Sequence, residues 1–260
     1  MIGIFDSGIG GLTVVKELLR QRPDVAFVYL GDTARAPYGN KNPETVSRYA
    51  VEDAAFLISQ GATCLVVACN SMSAVALDAL RAAYPTVPLF EVITPAVEAA
   101  LCVGAHARVG VIGTRATITS AAYERALRAR GIQNISTQAC PLFAPLVEEG
   151  WFEAAETKRI ARRYLSPLRQ AQLDVLILGC TQYPVLAPVI QRYMGRRVRL
   201  IDSGAAVVAS LIDIASEHLR PGEQCYFVSD VSLHTQCIAR SWLKRDIVLK
   251  KADIEHAICL

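Results

Sequence analysis

The chain has 260 residues, of which 52% are apolar and 20% charged, and its net charge is +3. That length buries one large core or two modest ones, and the balance is ordinary for a globular α/β enzyme. The small charge, with no block of like charges and no aromatic–basic interleaving, argues against nucleic acid or an anionic membrane as partner, and the apolar runs are too short to span a bilayer.

The opening Ile2-Gly3-Ile4-Phe5 has no charged leader or cleavage site, so no signal peptide is expected and the cytoplasm is the expected compartment. The eight cysteines are then expected as reduced thiols, and none has metal-finger spacing, so no metal site is expected. Taken in order, strands are predicted over 2–5, 25–30, 63–68 and 87–91, with helices over 10–21, 43–60 and 72–83. Thr94 is a natural N-cap, with Pro95 in the first turn, for a helix over 95–104. A second series follows: strand 108–113, helix 117–130, strand 132–137, helical pieces over 143–170, strand 174–179, helix 185–194, strand 197–201 and helix 204–219. The end reads as strand 224–228, helix 231–243 and a short strand 246–249. Strands alternating with helices imply an α/β fold with parallel sheets covered on both faces, and two series imply two lobes. Ligands of such sheets sit beyond the strand carboxyl ends, which makes the cleft between the lobes the expected site.

Two strand ends stand out. Leu65-Val66-Val67-Ala68 runs into Cys69-Asn70-Ser71, and Val175-Leu176-Ile177-Leu178-Gly179 runs into Cys180-Thr181-Gln182. A strand-end cysteine is commonly a small core hydrophobe. Two of them, each followed by hydrogen-bonding residues at a helix mouth, form the skeleton of a two-base site. Cys64, Cys102, Cys140, Cys225, Cys237 and Cys259 lack that setting and read as structural. After the first strand, Asp6-Ser7-Gly8-Ile9-Gly10-Gly11-Leu12-Thr13 fails the dinucleotide fingerprint, because the third glycine position holds Thr13. Its backbone N–H groups remain available for a carboxylate or phosphate. Asp6 reads either as a turn-former or as an acid/base partner beside a thiol. Asp202-Ser203-Gly204 repeats the motif after a later strand. The loop Gly31 to Gly39 is too elaborate for a minimal connection; Tyr38 and Gly39 offer a hydroxyl and an N–H to a ligand, and Arg35 reads as a surface charge. Glu148 and Glu149 precede Gly150 at a helix end, where at least one is expected on a solvated face.

These motifs together resemble the cofactor-independent glutamate racemases. The resemblance covers nearly the whole chain, through Phe5-Asp6-Ser7-Gly8, Gly31 to Gly39, Cys69-Asn70, Gly110-Val111-Ile112-Gly113-Thr114, Pro141 to Gly150, Gly179-Cys180-Thr181 and Asp202-Ser203. It implies two flavodoxin-like lobes, 1–94 plus 208–260 and 95–207, with the active site between them. It further implies Cys69 and Cys180 as the catalytic bases, aided by Asp6 and by an acid at Glu148 or Glu149, with Glu149 preferred. Asp6, Ser7, Tyr38, Gly39, Asn70, Ser71, Thr181 and Gln182 are implied as contacts to a glutamate substrate. No cofactor is implied, D-glutamate for peptidoglycan is the implied product, and there is room for a homodimer.

The chain departs from the family pattern at two places. Gln182 stands where the family usually has histidine, and Ser71-Met72 where Thr-Ala is common. Glutamine holds a ligand by hydrogen bonds but does not titrate, so weaker support for Cys180 is expected, as slower turnover or a raised pH optimum. Aspartate and hydantoin racemases place two cysteines similarly and form the nearest alternative. A non-catalytic amino-acid-binding protein is the alternative from another class. A flavin-binding protein is disfavoured, since the first loop lacks a Ser/Thr-rich phosphate cradle.

Overall fold

The computed structural model describes residues 1–104, 106–214 and 218–254. Two all-parallel sheets organise it. The first runs in the order β10 (Lys250–Lys251), β9 (Gln224–Val228), β2 (Phe27–Gly31), β1 (Ile2–Asp6), β3 (Cys64–Val67) and β4 (Leu89–Glu91). The second runs β6 (Ile135–Ala139), β5 (Val109–Gly113), β7 (Val175–Gly179) and β8 (Arg199–Asp202). β1, β2, β3, β5 and β7 are buried at every residue, as continuous apolar runs require when helices cover both faces.

Register decides what meets at the strand ends. Phe5 pairs with Val67 and Asp6 with Gly31, so Ser7 and Cys69 emerge side by side from β1 and β3. In the second sheet Gly113 pairs with Gly179, so Thr114 and Cys180 emerge together. One apolar core belongs mainly to each sheet, around Val28, Leu57 and Leu65 in one and Val97, Val111 and Ile177 in the other. A third, larger core is shared, joining Ile4, Leu12 and Tyr29 to Phe143, Leu176 and Tyr183. The helix Ser203–Ile214 packs against both Leu12–Gln21 and Ile93–Leu101.

Several elements differ from the sequence expectation, for local reasons. The helix expected over 72–83 is two helices, Asn70–Val75 and Leu77–Ala83, broken at Ala76. The helix expected over 117–130 divides into Arg115–Thr119 and Ala122–Ala129 around Ala121, whose φ is 54°. Thr94 is not an N-cap. The Glu91 carboxylate accepts from the N–H groups of Ile93 and Thr94, at 2.5 and 2.8 Å, and starts that helix two residues early. The last strand is Lys250–Lys251 rather than 246–249, because the Gln236 side chain takes the Ile247 carbonyl and the Leu249 N–H. The second Asp-Ser-Gly is a cap: Asp202 Oδ1 accepts from the N–H groups of Gly204 and Ala205. The expected helix 204–219 crosses residues 215–217, and the first lobe's tail, including Cys259, crosses 255–260; those stretches lie outside the described residues.

Candidate active site

Beyond the carboxyl ends of both sheets lies a cavity of about 350 Å³. The first lobe contributes Asp6, Ser7, Tyr38, Gly39, Cys69, Asn70 and Ser71; the second contributes Thr114, Glu148, Cys180, Thr181 and Gln182. Cys69 and Cys180 both reach it, at 5% and 8% exposure. Every residue expected at the site lines it except Glu149. That residue is exposed at the end of the helix Phe143–Glu148, and its neighbour Glu148 faces inward instead. Adjacent helical side chains project about 100° apart, so only one of the pair can face the cavity. Cys64, Cys102, Cys140, Cys225 and Cys237 do not line it.

Burial controls the electrostatics. It raises the Asp6 carboxyl to a pKa of about 7, against the opposing hydrogen bonds from the Gly11 and Gly8 backbone and from Thr181. The Gly8 N–H lies 3.2 Å from Asp6 Oδ2, and the Thr181 hydroxyl 3.4 Å from Oδ1. The glycine-rich turn therefore spends these donors on Asp6 rather than leaving them for a bound anion. Burial also raises the Cys69 thiol to about 11, helped by the Asp6 charge and opposed by Ser7, whose hydroxyl is 3.4 Å from the sulfur. Cys180 is likewise pushed up by burial, against the Gln182 N–H and with Asp6 and Cys69 adding to the rise. The helix mouths thus favour thiolate at both cysteines, as expected, but desolvation outweighs them.

The lobes approach closely through glycine. A methyl group at Gly10 would press on Thr181 Oγ1 and lie 2.9 Å from Gln182 Cγ, and one at Gly39 would lie 2.6 Å from Thr114 Cβ. The Thr13 hydroxyl donates to the Thr181 carbonyl at 2.8 Å across the same seam. Asn70 sits at the cavity with its amide held by the second lobe, donating to Ser203 Oγ at 3.2 Å and accepting from the Tyr123 hydroxyl at 2.7 Å. Ser71 Oγ is 2.9 Å from Thr114 Oγ1. Thr114 is a lining residue that the sequence reading names only as the end of the Gly110–Thr114 motif, without a site role; its position just past a buried strand of the second lobe is the signal that could have given it one.

Three side chains behave differently from their sequence reading. The Tyr38 hydroxyl bonds Asp32 and Asp53, which do not line the cavity, so the fully buried Tyr38 borders the cavity without offering it a hydroxyl. Arg35 is no free surface charge, for it pairs with Asp32, Glu52 and Asp53. Gln182 Nε2 donates to Glu148 Oε1 at 2.6 Å, while its Oε1 is buried with no partner among the described residues.

Two parallel α/β lobes each present one thiol to a shared, partly acidic cavity. The family model described as Asp/Glu/hydantoin racemase matches residues 8–211. A glutamate racemase of Geobacter metallireducens is 49% identical over 238 residues, 88% of this chain and 87% of that protein. The crystal structure of the Francisella tularensis glutamate racemase in complex with D-glutamate superposes with a TM-score of 0.89 at 33% identity, covering 98% of both chains. That of the Bacillus anthracis isoform RacE1 gives 0.91 at 35% identity, covering 97% of both. The chain belongs to the Asp/Glu/hydantoin racemase family, and it is an isomerase of the glutamate racemase type.

Proposed function

We propose that this chain interconverts L- and D-glutamate without a cofactor, with Cys69 and Cys180 working on opposite faces of the α-carbon. The observation that carries this reading is the delivery of both thiols, one from each lobe, into a single cavity beside Asp6. One thiolate removes the α-proton and the opposite thiol returns one, so the other enantiomer leaves and the two sulfurs have exchanged protonation states.

The pKa of about 11 at Cys69 against about 7 at Asp6 makes proton transfer between them uphill by on the order of 5 kcal/mol. On this reading the empty enzyme stores thiols, and the substrate's ammonium, held near Asp6 and Glu148, lowers the barrier to ionisation. Among the described residues lining the cavity none is Lys or Arg. The substrate carboxylates are therefore assigned to neutral donors: the hydroxyls of Ser71 and Thr114 and the Gly39 N–H. Ser7, Asn70 and Thr181 supply the preorganised dipoles that the developing carbanion needs. Glu148, rather than Glu149, is the auxiliary acid beside Cys180, with Gln182 between substrate and Glu148.

The lobes on this reading are 1–94 plus 208–260 and 95–207, supported by the division of strands between the two sheets. We assign the product D-glutamate to peptidoglycan synthesis in the cytoplasm, with a homodimer as the working assembly. Among the described residues no helix is long and apolar enough to cross a membrane. The test is incubation with L-glutamate, and separately with L-aspartate, in D₂O without pyridoxal phosphate. Loss of optical rotation with deuterium at the α-carbon is expected for glutamate and not for aspartate, and Cys69→Ser and Cys180→Ser should each abolish the loss. No exchange with either amino acid would refute the assignment.

A further inference from the structure

Behind the Tyr38 wall, outside the cavity, lies a cluster that the reaction does not use. Asp32 and Asp53 are completely buried there. Arg35 Nε donates to Asp32 Oδ2 at 2.5 Å, its Nη2 to Asp53 Oδ1 at 2.8 Å, and its Nη1 to Glu52. The Ser229 hydroxyl donates to Asp32 Oδ1 at 2.7 Å. The Tyr38 hydroxyl oxygen lies in close contact with Asp32 Oδ2 and 3.3 Å from Asp53 Oδ2.

Counting protons assigns their positions. Both oxygens of Asp32 already accept, from Ser229 and from Arg35, so the close contact with Tyr38 takes the phenol's single proton. The phenol oxygen then has only lone pairs to offer Asp53 Oδ2, and that contact is repulsive unless Asp53 supplies a proton. Counting charge gives the same answer. Two fully buried carboxylates, Asp32 and Asp53, face one guanidinium that also reaches the partly exposed Glu52, and of the buried pair the one left uncompensated is neutralised most cheaply by protonation. Burial and the neighbouring Asp32 charge both push Asp53 well above the usual carboxylate range.

We propose that Asp53 is held as a neutral carboxylic acid that donates to Tyr38 Oη, which donates to Asp32, and that this directed relay is the positioning device for the Tyr38–Gly39 wall. Its reach extends past the wall. Gly39 fits against Thr114 with no room for a methyl group, and Thr114 in turn contacts Ser71. A slack Tyr38 thus moves the cavity lining and the seam between the lobes together. Asp32, Asp53 and Arg35 do not line the substrate cavity, so they act through Tyr38 and Gly39.

The proposal deepens the racemase reading and rests on it only for its activity arm, and two measurements separate them. The first is infrared difference spectroscopy of parent against Asp53→Asn at about pH 7, where the Asp6 carboxyl, common to both proteins, cancels in the difference. A carboxylic-acid carbonyl band is expected in the parent and absent from the variant; a parent without that band overturns the proposal whatever the enzyme's activity. The second is a kinetic series. Asp53→Asn keeps the pattern, its carbonyl accepting from Arg35 and its amide donating to Tyr38, so kcat and KM should stay within about threefold of the parent. Asp53→Ala should raise KM about tenfold or more, since ångström-scale slack at a wall has effects of this order. Asp32→Asn, which brings a donor to a site where donors converge, should lose more than Asp53→Asn. Equal losses in the two asparagine variants, or no loss in Asp53→Ala, would overturn the assignment. Should Asp53→Ala fail to fold, the infrared band and the asparagine pair still decide.

Discussion

Asp6 carries a burial penalty that its chemistry can use. Its folded pKa of about 7 lies above the 3.8 of an exposed aspartate, so the native state holds this proton more tightly than the unfolded chain. The sign follows: stability from this group is complete below about pH 4 and declines as pH rises toward 7, by on the order of 4 kcal/mol. Asp6→Asn removes the charge while keeping an acceptor for the Gly8 N–H. We expect it to raise the unfolding midpoint at pH 8 by several degrees, with no gain at pH 4. It should also eliminate activity together with any acid limb near pH 7. Thermal melts at the two pH values check this, and equal shifts at both would contradict it. Gln182 makes the opposite kind of demand. Its amide is fixed by donation to Glu148, and its carbonyl is buried and unpaired among the described residues. An imidazole there would join Glu148 to the Cys180 wall through a group that titrates near neutral pH. Gln182→His should therefore raise kcat at pH 7 roughly tenfold, modest beside the 10²–10⁴ of a full general acid or base. Steady-state rates across pH decide it, and a superimposable profile would show that the missing imidazole is irrelevant. Either way kcat/KM stays equal in both directions, because the enantiomers have equal free energy.

At the scale of elements, strand ends and close approaches build the site, and the sequence exposes the first better than the second. Buried parallel strands are written as unbroken apolar runs, so β1, β3, β5 and β7, and with them the positions of Cys69 and Cys180, were legible. Helix breaks at Ala76 and Ala121 carry no Gly or Pro to announce them. The choice between Glu148 and Glu149 needs the phase of a six-residue helix, too short for a periodicity to fix. Gly10 illustrates the second kind of information. Its turn reads as a weak anion cradle, yet what it provides is the absence of a side chain where Thr181 and Gln182 arrive from the other lobe. Gly10→Ala should push the first loop and the Cys180 turn apart. A destabilisation of about 1–3 kcal/mol is expected from overpacking, with a KM rise exceeding the fall in kcat, because the Cys180 wall is displaced rather than removed. Denaturant titration and steady-state kinetics measure both. Parent-like values would mean that the seam yields freely.

For the whole molecule, the two-lobed arrangement was legible because two strand–helix series occur in order, but the joins were not. Arg35 finds Asp53 eighteen residues away and Asp32 finds Ser229 almost two hundred away, so no local pattern reports the cluster. Asn70 is likewise tied to Tyr123 and Ser203 of the other half. The shared core and these cross-lobe bonds make one cavity out of two walls, so a ligand that contacts both walls binds the native chain and not the unfolded one. At a hundred times its dissociation constant it adds about 2.7 kcal/mol of stability. A chain of this size gains about 2–4 °C per kcal/mol, so saturating glutamate should raise the melting midpoint by roughly 5–10 °C. An active racemase adds a signature of its own. The equilibrium constant between enantiomers is unity, so preincubation with pure L- or pure D-glutamate ends in the same mixture and must give the same midpoint. Cys180→Ser, which cannot complete the exchange, should preserve any difference in affinity as two distinct midpoints. Parent midpoints that stay apart after long preincubation would show that binding occurs without inversion, and the cleft would then be a receptor for one hand of the amino acid.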